Sequence, residues 1–132
     1  MVALALAIGA FIGTLCRYGI GQWIGASPAG FPTATLSINL LGCLFLGWFF
    51  TIVLYRIRVS PAVRIGIGTG FTGSFTTFST FSVETVNLVR NGCAGLAAGY
   101  VLASLIGGVL FTALGFTVAK RQSRRAKEGT AA

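Results

Sequence analysis

The apolar positions of this chain run in long, nearly unbroken stretches rather than in the narrow stripes of a soluble helix or the alternation of a half-buried strand. The first stretch covers about Val2 to Ile24 and holds one charge, Arg17. A connector with Pro28, Gly30 and Pro32 follows; proline removes a helical donor there and glycine loosens the backbone. The second stretch covers about Thr33 to Tyr55 and ends in a basic turn, Arg56, Arg58, Ser60 and Pro61. A third covers about Ala62 to Val89, and a fourth about Cys93 to Ala119. Each reaches the roughly 20 residues that cross a hydrocarbon layer about 30 Å thick. The pattern predicts an all-α membrane protein: one domain, residues 1–119, of four transmembrane helices, then a basic tail, 120–132. The N-terminal run outlasts a signal-peptide core and lacks a polar leader, so it reads as a span.

Composition supports this picture and narrows the chemistry. Hydrophobic residues make up 55% of the chain and charged ones only 9%, against about 25% charged in soluble domains. There is no histidine and no aspartate, and the carboxylates are Glu84 and Glu128 alone. Most hydrolytic and metal-assisted chemistry therefore lacks its parts, and an enzyme is not expected. Cys16, Cys43 and Cys93 are odd in number and far apart, which suits small packing residues better than disulfides or a metal site.

The net charge is +8, with five of the ten cations in the tail: Lys120, Arg121, Arg124, Arg125 and Lys127. Four spans put both termini on one side, together with Arg56, Arg58 and Arg64, and Arg90 opposite. The positive-inside rule then places both termini in the cytoplasm.

Glycine, at 19 residues, is concentrated within the apolar runs, where small residues let helices approach closely. Ala5, Gly9, Gly13, Arg17, Gly21 and Gly25 are spaced by four along one helical stripe, and Gly66/Gly70 and Gly95/Gly99 repeat the spacing. These stripes predict packing faces and say nothing of function.

The third stretch differs from an ordinary lipid-facing helix. From Gly70 to Ser82 it packs two glycines, seven hydroxyl side chains and four phenylalanines into thirteen residues. Such sequence interrupts a helix, the freed carbonyls being met by hydroxyls, another chain or an ion. A break is expected near Gly73 to Thr77. Carbonyls converging without a carboxylate suit a monovalent cation; a helix merely kinked by back-bonding Ser and Thr is the plainer alternative. Phe75, Phe78 and Phe81 could be core packing, or could turn their positive ring edges toward an anion.

Arg17, Asn39 and Glu84 stand out among the polar groups within the first three stretches. Intramembrane ionisable groups are candidates for function, although Arg17 could snorkel, Glu84 could sit in a wet vestibule and Asn39 could simply join helices. In the fourth stretch Tyr100, Ser104, Gly108, Thr112 and Phe116 share one face. Neutral hydroxyl donors in a line can pass a small anion along without trapping it.

The run Gly9-Ala10-Phe11-Ile12-Gly13 leading to Arg17-Tyr18, the run Thr35-Leu36-Ser37-Ile38-Asn39-Leu40-Leu41-Gly42, and Gly70 to Phe81 followed by Ser82-Val83-Glu84 together resemble the Fluc/CrcB fluoride channel family over nearly the whole chain except the tail. The resemblance implies a passive, fluoride-selective channel in the plasma membrane of a prokaryote that protects the cell by letting fluoride out. It further implies an antiparallel, dual-topology homodimer in lipid. Carried over by position, Phe78 and Phe81 would present ring edges to the ion, with Asn39 beside them and Ser79, Thr80, Ser104 and Thr112 as a hydroxyl track. Gly108 stands where the family would have a hydroxyl. Glu84 would lie near one vestibule and Arg17 would draw anions into the other. Backbone carbonyls of Gly73 and Thr76 would hold a structural sodium ion with those of the second subunit. Because the tail favours one orientation, the partner could instead be an oppositely oriented paralogue. Two rivals compete: a small multidrug-type, proton-coupled transporter, which needs a carboxylate where the first span has Arg17, and a non-transporting membrane assembly subunit.

Overall fold

The computed structural model describes residues 1–25 and 30–128. Pro28, expected to help end the first helix, lies outside the described residues. Every regular element among the described residues is helical. The first two apolar stretches are single helices, α1 (Val2–Ile24) and α2 (Thr33–Tyr55). Gly25 closes α1 at φ 69, in the left-handed region that glycine enters without a Cβ clash.

The third stretch is four pieces. A short α3 (Pro61–Ile65) leads into a π-helical stretch, Gly66–Phe71, then α4 (Thr72–Phe75) and, after a gap, α5 (Phe78–Arg90). Ser60 caps α3, its Oγ accepting from the Val63 N–H at 3.3 Å, and Pro61 takes the first helical position, where a missing donor costs nothing. The π turn is wider than an α turn, and Thr72 Oγ1 donates to the Ile67 carbonyl five residues back at 3.1 Å. Gly66, Gly68 and Gly70 are all buried there. A Cβ at Gly70 would stand 2.6 Å from the Leu6 carbonyl oxygen, and one at Gly9 would strike the Gly66 carbonyl. The glycine stripe of α1 thus docks onto the glycines of the π stretch, backbone to backbone.

The last helix, α6 (Ala94–Glu128), packs along α2. The turn into it uses Gly92 at φ 77, with the Gly92 and Cys93 N–H groups donating to the Val89 and Leu88 carbonyls at 3.0 and 2.9 Å. The α6 face in contact differs from the expected Gly95/Gly99 pair, which meets nothing within 4 Å. Contact is made further along: a Cβ at Gly47 would strike the Thr112 carbonyl, and one at Gly115 would stand 2.7 Å from the Trp48 nitrogen. Nor does α6 stop at Ala119, where the apolar run ends. Ala119 and Ser123 stay buried and Trp48 Nε1 donates to Gln122 Oε1 at 3.0 Å, so contact with α2 carries the helix into the basic tail.

Helix α2 is central, touching α1, the π stretch, α4, α5 and α6. The exterior is greasy, with residues such as Leu105 and Val109 largely exposed, as lipid-facing surface should be. Three described helices, α1, α2 and most of α6, are long and apolar enough to cross a membrane. The divided third stretch is not one of them, since its longest piece, α5, has 13 residues.

Candidate functional site at the broken helix

The gap between α4 and α5 is two extended residues, Thr76 (φ −79, ψ 157) and Thr77 (φ −143, ψ 113). Their backbone is β-like, a region that β-branched threonine tolerates well. A side chain from α2 fixes it: Asn39 Oδ1 accepts from the Thr77 N–H at 2.8 Å and Asn39 Nδ2 donates to the Thr77 carbonyl at 3.1 Å. One primary amide therefore satisfies both backbone groups of a buried residue, which would otherwise be costly orphans. Thr77 also caps α5. Its Oγ1 accepts from the Thr80 N–H at 3.2 Å and lies 3.2 Å from Ser79 Oγ and 2.9 Å from Thr80 Oγ1.

These bonds have a consequence for the carbonyls. In an unbroken helix the N–H of residue 77 would bond the carbonyl of residue 73, and that of 80 the carbonyl of 76. Here the first donor goes to Asn39 and the second to Thr77 Oγ1. Gly73 and Thr76 thus lose the helical donors of their carbonyls, and a Cβ at Gly73 would meet nothing within 4 Å. The Thr76 hydroxyl points the other way along α4, donating to the Thr72 carbonyl at 2.9 Å.

The break divides the four phenylalanines of the motif. Phe71 and Phe75 stack at 5.7 Å, and Phe71 meets Phe45 edge-on at 5.4 Å; Phe75 is buried, so these rings are packing. Phe78 and Phe81 lie beyond the break, 5.7 Å apart. Phe81 packs on Tyr100, centroids 5.0 Å apart, whereas Phe78 is 80% exposed on the single chain.

Two turns into α5, Glu84 faces inward. Thr35 Oγ1 donates to its Oε1 and Tyr100 OH to its Oε2, both at 2.8 Å. Tyr100 is fully buried, wedged edge-on against Phe31 at 5.6 Å. A carboxylate with each oxygen accepting from a neutral hydroxyl is held in place without a cation. Arg17 is not among its partners; it is half-buried on α1, one turn beyond Gly13. Beside Glu84 a cleft of about 280 Å³ opens between the start of α2 and α5, lined in part by Thr33, Asn87 and Asn91.

One turn beyond Tyr100 on α6, Ser104 Oγ is buried with no hydrogen-bond partner among the described residues. An orphaned hydroxyl in an apolar surround calls for an explanation such as an unseen water or ion. Further along the same face Gly108 lies against Cys43, whose Sγ would be 3.5 Å from an added Cβ. Thr112 Oγ1 donates back to the Gly108 carbonyl at 2.8 Å, so its proton is already used within α6. The structure brings Asn39, Thr76, Thr77 and Phe78 around one groove of about 260 Å³ and Phe81, Glu84 and Tyr100 into one cluster. It leaves Arg17 and Thr112 outside both.

Residue reading missed Thr77 as the hub of the break and Thr35 as a partner of Glu84. The first carried a signal, since a threonine three residues before the Thr80 donor and directly ahead of a periodic segment fits an N-cap. Thr35 carried none, because its pairing with Glu84 joins positions 49 apart in sequence.

Comparison with known proteins bears on this arrangement. A family model described as CrcB-like protein, Camphor Resistance (CrcB), matches residues 4–116. The chain is 45% identical over 112 residues to a protein of Listeria monocytogenes named fluoride-specific ion channel FluC 2, covering 83% of this chain and 85% of the relative. It is 51% identical over 108 residues to fluoride-specific ion channel FluC 1 of Desulfitobacterium hafniense, covering 82% and 94%. A third relative, fluoride-specific ion channel FluC of Pseudomonas fluorescens, is 43% identical over 117 residues, covering 88% and 94%.

Proposed function

The chain belongs to the CrcB-like protein family, and on that premise we propose that it is a passive, fluoride-selective channel rather than an enzyme. It is a multi-pass protein of a prokaryotic plasma membrane, and its work is to let fluoride leave the cell before it reaches toxic levels. The observation that carries the reading is the break at Thr76–Thr77, clamped by Asn39. A helix so interrupted exchanges its own hydrogen bonds for a set of groups turned toward an ion.

Fluoride is small and strongly hydrated, so a dry path must replace water by donors at modest cost. The donors are neutral. Ser104 supplies a buried hydroxyl whose proton has no acceptor among the described residues. Ser79 and Thr80 add hydroxyls at the head of α5, and the rings of Phe78 and Phe81 offer positive edges that attract an anion without holding it tightly. Asn39 sits beside this route with its amide fixed by Thr77. Glu84, anchored by Thr35 and Tyr100, marks the mouth that opens into the cleft with Asn87 and Asn91. Arg17 draws anions toward the other mouth.

The single chain presents the outer face of the break unfinished, and a second, inverted copy of the chain in the lipid bilayer completes it. That pairing covers Phe78, sets the break in mid-membrane and brings the Gly73 and Thr76 carbonyls of the two copies together. The donor set fits a sodium ion: neutral carbonyls freed of their helical donors, beside a glycine with open space before it. Bound there, the ion would supply a fixed positive charge joining the two breaks. On a four-span path eight of the ten cations fall on one side of the membrane, so the inverted partner is a second copy or an oppositely oriented paralogue.

A fluoride electrode tests the function. Purified protein in liposomes loaded with potassium fluoride is expected to release fluoride when a potassium ionophore is added, and to release no chloride under the same gradient. Fluoride release no faster than from protein-free vesicles, or equal chloride release, would overturn the reading.

A further inference from the structure

The length of α6 leads to a second site. At 35 residues the helix is about 52 Å long at 1.5 Å per residue, well beyond a hydrocarbon layer of about 30 Å. Its final turns therefore stand in the headgroup layer, and they carry the basic sequence. They are not a loose tail, since Ala119 and Ser123 are buried and Trp48 holds Gln122 at 3.0 Å. Where this rigid extension passes the end of α2, Tyr55, Lys120, Ser123 and Arg124 line a cleft of about 200 Å³. Lys120 and Arg124 are one turn apart and so share a face. Lys120 also lies over the Phe116 ring, its Nζ 5.5 Å from the centroid, which sets it at the apolar boundary. Ser123 Oγ already donates to the Ala119 carbonyl at 2.9 Å and serves as the floor.

The nearest carboxylate in sequence, Glu128, follows Arg124 by one turn of α6, and the five cations from Lys120 to Lys127 outnumber it. Glu84 is held by Thr35 at the opposite end of α2, and Thr35 and Tyr55 stand about 30 Å apart along that helix. Two cations and a phenol at the membrane boundary are the recognition chemistry of a phosphate ester: charge and forked donors from arginine, a point charge from lysine, a hydroxyl donor from tyrosine. Basic pockets between helices at the inner surface bind anionic headgroups in this way. We propose that the Tyr55–Lys120–Arg124 cleft binds the phosphate of an anionic lipid headgroup, anchoring the basic end of the chain to the bilayer. The proposal rests on the membrane reading alone and not on which ion the protein carries.

The test compares lipid retention. Protein purified from vesicles of equal phosphatidylglycerol and phosphatidylcholine is expected to carry phosphatidylglycerol selectively by native mass spectrometry. Each cation removed should cost roughly fivefold in that preference, so Lys120→Ala with Arg124→Ala should abolish it. Arg121→Ala, which removes the same charge outside the cleft, should leave it intact. Unchanged elution and helical content by circular dichroism in both variants would show that they fold. Selectivity surviving in the double variant, or lost equally in Arg121→Ala, would overturn the site. Displacement of the lipid by millimolar inorganic phosphate would show that a free anion, and not a headgroup, is bound.

Discussion

The two sides of the segment from α4 through α5 differ in how complete they are. The inner face is finished within one chain: Glu84 has a hydroxyl on each carboxylate oxygen, Tyr100 is fully buried, and Phe81 rests against Tyr100. The outer face is not. Phe78 is 80% exposed, Gly73 faces open space, and two carbonyls have lost their helical donors to side chains. Asn39 separates the two, since its amide holds the break open from the inside while the consequences appear on the outside. That contrast is the support for the proposal that a second copy covers the outer face.

The comparison can be broken most severely at its pivot. Asn39→Ala strands the N–H and carbonyl of buried Thr77, at about 1–3 kcal/mol for each unsatisfied group. The variant is expected to lose about 2–6 kcal/mol of stability and nearly all flux, read by thermal unfolding in detergent and by the fluoride electrode. Wild-type melting would mean that the break holds itself open. Next comes the inner face. Tyr100→Phe keeps the ring contact with Phe81 but removes one donor from Glu84, an expected loss of about 1.5–3 kcal/mol by the same unfolding measurement. A loss below about 0.5 kcal/mol would show that water replaces the phenol and that this face is wetter than it looks. The smallest effect on the single chain belongs to the outer face. The Cβ that Gly73→Val adds meets no atom within 4 Å in one chain, so helical content by circular dichroism should not change. Overpacking at a contact between copies should weaken the dimer by about 1–3 kcal/mol, read as a shift in the monomer–dimer equilibrium in detergent. An unshifted equilibrium would place the second copy elsewhere.

Helices α1 and α2 were legible in the sequence because long apolar runs between proline, glycine and arginine leave little else for the chain to do. The break was legible too, from glycines and hydroxyls packed between Gly70 and Ser82, and it falls inside the expected Gly73 to Thr77 window. What was not legible depends on register between helices. The Gly47 and Gly115 contacts replace the expected Gly95/Gly99 pair because spacing alone cannot say which of several small-residue pairs meets a partner. The π stretch at Gly66–Phe71 was hidden because nothing local separates a wide turn from an α turn; docking of α1 onto Gly66 and Gly70 favours it. The end of α6 was misjudged for a related reason. Hydropathy falls after Ala119, but helix propensity and the Trp48–Gln122 bond do not. At the site, Asn39 and Glu84 were marked by polarity in an apolar run, while their partners Thr77 and Thr35 looked like any other threonine.

The most direct test of the central claim, that aromatic edges beyond the break line the fluoride route, is fluoride efflux from liposomes carrying Phe81→Ile beside the wild type. Isoleucine fills similar space with no ring edge, so the variant is expected to fold and elute as the wild type does while releasing fluoride at least tenfold more slowly, about 1.4 kcal/mol or more in barrier. Equal release by the two proteins would contradict the account.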